Sequence, residues 1–241
     1  GERKEMKMAS EMQSMLFPSS LPNDDKLEIA AYYQPHQQVG GDYYDFIRIN
    51  KNEVVFCMAD VSGKGVSAAL LMANFQANLR ALFKHNSSLP EIILELNDLV
   101  FNNAKGEKFI TLFVAKYNTV TKVLSYINAG HNPPVLLKKD KLIMLNEGGF
   151  MIGIIDVGIN YEVGKVEIDK DDVIVFYTDG VTEANDSEGM EFGEKRLYDI
   201  IIKYKNNSSV MILEEIKHSI KDFTKDTAQY DDITMIVLKK N

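Results

Sequence analysis

An α+β fold, with antiparallel sheets covered by helices, is what this 241-residue sequence predicts, and three observations predict it. Short runs rich in Val, Ile, Phe and Tyr recur along the chain. Several are joined by tight polar turns such as Asn50-Lys51-Asn52, which is how antiparallel hairpins read. Helical stretches come in pairs between groups of these hairpins, an arrangement that does not suit a parallel βαβαβ sheet. Finally, 45% apolar residues are enough for one sizeable core. No repeat, low-complexity tract or Pro-rich linker interrupts them.

In chain order, residues 2–17 (ERKEMKMASEMQSMLF) read as a helix, because Met8, Met12, Met15 and Leu16 fall on one stripe. Pro18 ends it, and SSLPND is a turn-rich connector. Two readings of this helix stand side by side: it packs on its own domain, or it continues a longer helix upstream. Strands are expected at 27–34, 43–49, 53–59, 108–117, 123–128, 135–138, 161–168, 172–177 and 233–238. Helices are expected at about 64–84, 89–103, 194–204 and 208–222.

Composition removes several functions. Twenty-seven basic against 35 acidic residues give a net charge of −8, which argues against a nucleic-acid binder, since phosphate neutralisation needs a dense basic surface. No uncharged apolar run reaches the roughly 18 residues of a bilayer span. The charged start Glu2-Arg3-Lys4-Glu5 shows no signal peptide. The single cysteine, Cys57, excludes an intrachain disulfide and thiolate zinc clusters, and it fits a reducing cytoplasm. It sits within an apolar strand, as a core residue would.

The informative pattern is where the aspartates fall. EVVFCMAD ends a strand on Asp60, and DDVIVFYTD ends another on Asp179. DDITMIVL begins a strand at Asp231 and Asp232, and GGDYYDFIRI begins one with Asp42 and Asp45. If the first kind runs antiparallel to the second, these carboxylates arrive at one rim. Clustered like charges are costly unless cations neutralise them, and all-oxygen ligands select hard ions such as Mg²⁺ or Mn²⁺. Flanking glycines (Gly40, Gly41, Gly63, Gly65 and Gly180) permit tight turns and close approach. Taken singly, an Asp at a strand end is most often a turn residue or a helix cap; Asp60 would suit the helix that follows it.

At these residues the sequence resembles a known family. GGDYYD (40–45), ADVSGKG (59–65), AGHNPP (129–134), YTDGVTEA (177–184) and DDIT (231–234) occur in the order and at the separations of the bacterial PPM/PP2C-type serine/threonine phosphatases. They are most similar to the sporulation-stage-II-E and RsbU-like branch of that family. The resemblance runs from about residue 27 to 238. The stretch ending MLFPSSLP is also similar to the helix that leads into this domain in many members.

The resemblance implies an α-β-β-α sandwich of two central antiparallel sheets flanked by helices. Residues 1–20 would be a regulatory or linker helix and 21–241 the PP2C-like phosphatase domain. The implied reaction is hydrolysis of phosphoserine or phosphothreonine on a protein by a water activated between two Mn²⁺ or Mg²⁺ ions, with no phosphoenzyme. Asp60 would bridge the ions, the Val61 carbonyl would add an oxygen to one of them, Asp179 and Asp231 would complete the other site, and Asp42 would support the second metal directly or through water. Asp231 is preferred to Asp232, as the first of the family's acidic pair, and Asp42 to Asp45. The phosphate-binding arginine of eukaryotic members has no equivalent in QPHQQV, ahead of Gly40. The resemblance also implies a phosphorylated regulatory protein as substrate, such as an anti-anti-sigma-type protein, and an upstream sensor or receiver domain. A homodimer through residues 2–17 is a further expectation.

His131 has two readings: a proton donor to the leaving alkoxide, or a loop histidine bonding the Asn-Pro-Pro turn. Tyr43 and Tyr44 would line the rim or point inward. Other motifs fail. GKGVSA (63–68) satisfies G-x-G-x-x-A, but Arg80 and Lys84 stand where an acid is needed and no βαβ unit follows. Met58 replaces the first glycine of a Walker A loop, and Asp60 and Lys64 replace those of a G-x-S-x-G elbow. DGVTEANDSEG lacks the ligand order of an EF-hand. The rival from another class is a non-enzymatic binding module of the same fold with a degraded site, which would show as loss of a metal acid.

Overall fold

The structure, a computed structural model, describes residues 1–85 and 88–241. In chain order its elements are α1 (Glu2–Ser14), β1 (Leu27–Gln34), β2 (Asp42–Arg48), β3 (Glu53–Val61), α2 (Gly65–His85), α3 (Leu89–Ala104), β4 (Ile110–Asn118), β5 (Val123–Ala129) and β6 (Val135–Lys138). There follow β7 (Lys141–Met144), β8 (Gly148–Gly149), β9 (Gly164–Glu167), β10 (Val173–Tyr177), α4 (Asp179–Thr182), α5 (Gly193–Lys203), α6 (Ser209–Thr224) and β11 (Ile233–Lys240). The expected fold class holds: two sheets, antiparallel apart from a two-residue pairing of β8 with β5, together with helices. The chain passes back and forth between two units. The first comprises Gly1–Ser20, Gln37–Pro133 and Leu145–Glu167; the second comprises Leu21–His36, Pro134–Met144 and Ile168–Asn241.

The first unit holds the sheet β2-β3-β4-β5-β8, with β9 also on β5. Helices α2 and α3 share a core with it. On α2, Ala68, Met72, Phe75, Leu79 and Phe83 are buried at intervals of three and four, so one face meets the sheet. Helix α3 starts with Pro90 in its first turn, where no amide partner is needed, and stops at Lys105 in the left-handed region before Gly106. Each fully buried Leu, Ile or Phe contributes roughly 1.5–3 kcal/mol, so these stripes hold the helices down. Cys57 is buried in this core.

The second unit holds the sheet β1-β11-β10-β6-β7. Here α6 buries Ile212, Leu213, Ile216 and Ile220, and α5 buries Leu197 and Ile201. Ser208 caps α6 by accepting from the Met211 amide at 3.1 Å, and the Ser209 amide donates to Glu28 Oε1 on β1 at 2.7 Å.

Three local expectations need correction. The first helix ends at Ser14, not residue 17; Met8, Met12 and Met15 of its stripe are exposed, and Gln13 is the residue that α1 buries. The strand expected at 161–168 is only Gly164–Glu167. Strands β7 and β8 and the one-turn helix α4 were not expected, being too short for a periodic pattern to register. Among the described residues no helix is long and apolar enough to cross a membrane.

Candidate active site

In the first unit, β2 and β3 are antiparallel with Asp42 directly opposite Asp60. Directly opposed residues project on the same face of a sheet, so the two carboxylates neighbour one another. Asp42 is buried and Asp60 half-buried. Gly41 shows why the chain needs a glycine before Asp42. A Cβ there would stand 2.7 Å from the Val61 carbonyl oxygen and 3.4 Å from Asp60 Oδ1. The Val61 amide also donates to the Gly41 carbonyl at 2.8 Å. One end of this hairpin therefore brings two carboxylates and a backbone carbonyl close together.

The row continues onto β4, where Thr111 is opposite Asp60 and its Oγ1 lies 3.1 Å from His131 Nδ1. The His131 amide donates to Asn128 Oδ1 at 2.8 Å, and Asn128 Nδ2 donates to the Leu145 carbonyl at 3.2 Å. His131 thus bonds within its own loop and to Thr111.

In the second unit, β10 runs into Asp179, the first residue of α4, and Asp231 precedes β11. Strands β10 and β11 are antiparallel neighbours, and the Thr178 amide extends their ladder onto the Thr234 carbonyl at 3.1 Å. Gly180 is required by space: a Cβ there would lie 1.7 Å from the Asp232 carbonyl oxygen. That close approach brings the Asp179 turn against the Asp231–Asp232 segment. Burial raises the Asp231 carboxyl above the ordinary range, and the Asp232 and Asp179 charges add to the rise. Glu183 is raised in the same way, by burial first and then by Asp179, Glu191 and Asp231. The Asp232 carboxylate accepts the His36 amide at 2.8 Å, which ties it to the end of β1.

The sequence-predicted residues thus assemble as two pairs, Asp42 with Asp60 beside the Val61 carbonyl, and Asp179 with Asp231. Among the described residues no group of three or more His, Cys, Asp or Glu side chains forms a ready metal cage. The donors are nevertheless of one chemical kind. Carboxylates and a carbonyl suit hard divalent cations, and the raised Asp231 and Glu183 show a charge that a cation would relieve.

Asp45 belongs to a different structure. It is fully buried, accepts from Arg80 Nε at 2.7 Å, and pairs its other oxygen with the same guanidinium at 2.5 Å. The Tyr43 hydroxyl also donates to it. Burial pushes the Tyr43 phenol far above its ordinary value, so it stays a donor. Tyr43 therefore points inward.

Three features escaped the sequence reading. Gln13 of α1 clamps the glycine turn, donating from Nε2 to the Gly40 carbonyl at 2.7 Å and accepting the Gly40 amide on Oε1 at 3.0 Å. Arg80, 35 residues from Asp45, anchors α2 to β2. The Lys108 ammonium lies over Gly63, 2.9 Å from where a Cβ would stand, and sets a cation beside the loop that follows Asp60. None carries a local signal, since a glutamine within a methionine stripe and a lysine before a strand are ordinary surface residues.

Comparison with known proteins gives the family and the fold. The family described as stage II sporulation protein E (SpoIIE) matches residues 50–241. The chain belongs to the SpoIIE family. Phosphoserine phosphatase RsbU of Bacillus subtilis (strain 168) is 30% identical over 240 residues, which cover 99% of this chain and 70% of RsbU. Of two further curated relatives the chain spans 42% and 58%. Among solved structures, the SiaA-PP2C domain of Pseudomonas aeruginosa superposes with a TM-score of 0.84 at 19% identity, covering 99% of this chain and 96% of that one. RsbX in complex with magnesium superposes with a TM-score of 0.69 at 18% identity, covering 92% and 99%. The fold of this SpoIIE-family chain is therefore that of PP2C domains. RsbU is a phosphoserine phosphatase, the class of activity that the motifs led one to expect.

Proposed function

We propose that this chain hydrolyses phosphoserine or phosphothreonine on a regulatory protein, with two divalent cations, Mn²⁺ or Mg²⁺, as resident cofactors. One observation carries the reading: each unit ends a pair of antiparallel strands in two neighbouring carboxylates, with glycines at the points of closest approach. Asp42, Asp60, the Val61 carbonyl, Asp179 and Asp231 are the proposed ligands. Assigning both pairs to one centre rests on the family resemblance. The magnesium bound by RsbX supports a hard cation.

When bound, such cations lower the pKa of a coordinated water toward 7 and offset the charge on phosphate oxygens. The chain's own residues do the remainder. Asp42 and Asp60 present their carboxylates from opposed positions of a ladder, so their spacing is set before any ligand arrives. Gly41 keeps the Val61 carbonyl and Asp60 uncrowded. Asp231, raised by burial and then by the Asp232 and Asp179 charges, would be relieved by a cation beside it. Asp232 accepts the His36 amide and Asp231 accepts the Asp232 amide, each at 2.8 Å, so the preference for Asp231 rests on the family resemblance.

The test is p-nitrophenyl phosphate and phosphoserine-peptide hydrolysis with Mn²⁺, with and without EDTA. Metal-dependent turnover that EDTA abolishes supports the reading. A folded protein without it would be a binding module of the same fold.

Residues 1–20 are proposed as a regulatory helix, linked to an upstream sensor or receiver domain. The exposed Met8, Met12 and Met15 support pairing of residues 2–17 between two chains. Removing residues 1–17 would then lower the mass seen by light scattering; an unchanged mass would count against pairing. An anti-anti-sigma-type phosphoprotein is the proposed substrate, and the buried free thiol of Cys57 fits a cytoplasmic setting.

A further inference from the structure

The second unit contains a cavity of about 510 Å³ between α6, β1, β11 and the connection that leads to Asp231. That is the size of a pocket for a small ligand or a few residues of peptide, larger than a phosphoryl group needs. It touches Gly180 and Asp231, so it adjoins the carboxylate pair of this unit. Its side wall is a face of α6 carrying Glu214, Lys217 and Lys221, spaced three and four apart.

The charges on this wall are not equally matched. Lys217 is taken up: its ammonium pairs with Glu214 at 3.2 Å and lies 4.2 Å from the centre of the Tyr32 ring. Lys221 is exposed, and among the described residues no carboxylate lies within ion-pair distance of it. The opposite wall is held in place, since Gln229 Nε2 donates to the Gln34 carbonyl at 2.9 Å and to the Asp231 carbonyl at 2.8 Å. Tyr230 leaves about half its surface (49%) exposed on that wall, which presents an aromatic ring to an incoming chain.

We propose that this cavity seats the polypeptide next to the phosphorylated residue of the substrate, and that Lys221 receives an acidic side chain of that polypeptide. The proposal rests on the phosphatase reading, which supplies a phosphoprotein at Asp231. The cavity adds selectivity for acidic flanks to the reaction. Because the contact lies away from the phosphate, it acts on peptides and not on p-nitrophenyl phosphate.

The experiment uses the full chain and two fluorescent phosphoserine peptides that differ only in carrying acidic or basic residues on both sides of the phosphoserine. Binding is followed by anisotropy in EDTA and turnover in Mn²⁺. The acidic peptide should bind about fivefold more tightly, as one rim ion pair allows, and 0.5 M NaCl should shrink the difference. Lys221→Glu should abolish or reverse the preference, Lys221→Arg should keep it, and both should leave p-nitrophenyl phosphate turnover unchanged. Equal binding of the two peptides, or a preference that survives Lys221→Glu, overturns the proposal. A Lys221→Glu loss of p-nitrophenyl phosphate turnover also overturns it, because the lysine would then act on the reacting phosphate or the fold. An acidic preference without any metal-dependent turnover would sustain the cavity assignment while defeating the phosphatase reading.

Discussion

The two units each bring a pair of carboxylates to the end of a sheet, but they hold them by different means. In the first, Asp42 and Asp60 lie within strands, directly opposed, and a ladder of backbone hydrogen bonds sets their spacing. In the second, neither Asp179 nor Asp231 is in a strand; one opens a one-turn helix and the other lies in the connection before β11. Their proximity depends on Gly180 fitting against the Asp232 carbonyl. The helices differ as well. The first unit ties α2 to its sheet through the ion pair of buried Asp45 with half-exposed Arg80, whereas α5 and α6 rest mainly on apolar stripes. Like charges are thus placed rigidly in one unit and by close packing in the other, and the two should respond differently to substitution.

The largest expected effect is on chemistry. Asp179→Asn should lower Mn²⁺-dependent hydrolysis by on the order of 1,000-fold, the several kcal/mol of charge stabilisation a cation ligand serves. Its melting temperature should stay level or rise, because one of the charges that raise Asp231 and Glu183 is gone. Wild-type turnover at saturating Mn²⁺ would remove Asp179 from the site.

Next is the polar anchor of the first unit. Arg80→Met leaves the Asp45 carboxylate buried without its guanidinium. It should cost about 3 kcal/mol in urea denaturation, at the low end for a broken buried pair because the Arg80 side chain is 41% exposed. A loss below about 0.5 kcal/mol, the range of ordinary surface changes, would show that apolar packing alone holds α2 down.

Glycine substitutions compare the two carboxylate pairs directly. Gly180→Ala puts a Cβ 1.7 Å from a backbone oxygen and should destabilise by about 2–3 kcal/mol, whereas Gly41→Ala, at 2.7 Å, should cost about 1 kcal/mol. Both should weaken Mn²⁺ binding measured by calorimetry. If Gly41→Ala proved the more damaging, the ladder-held pair would be the less tolerant one and the contrast would reverse.

The smallest effect is alkaline. Burial pushes the Tyr161 phenol up to about 12 from its ordinary 10.0, while its hydroxyl donates to the Phe150 carbonyl at 2.9 Å. A folded-state pKa above the unfolded one gives a contribution that is complete below pH 10 and is lost as pH rises toward 12. Tyr161→Phe should therefore flatten the fall of stability over that window, measured by denaturation at pH 9, 10 and 11. An unchanged slope would mean that the phenol is not held neutral by the fold.

Much of this could be read from the chain. β1 and β6 end where alternation and turn residues place them, and the main helices lie within one or two residues of their stripes, because those signals are local. The carboxylates at strand ends were legible for the same reason, since an Asp before or after an apolar run is visible without any partner. The methionine stripe of α1 left two readings open, because periodicity shows a face and not what covers it. Here Met8, Met12 and Met15 face outward while Gln13 is buried against Gly40.

By itself, then, the sequence determined the order of the longer strands and helices, the oxygen donors proposed for the site and the family. Each depends on residue type and spacing along the chain. Only the tertiary structure decided that Asp45 goes to Arg80 and Asp232 to the His36 amide, that Gly180 must lack a side chain, and that Lys221 overlooks a cavity beside Asp231. Those outcomes turn on which distant segments abut, and contacts made over tens to nearly two hundred residues leave no period in the chain to be read.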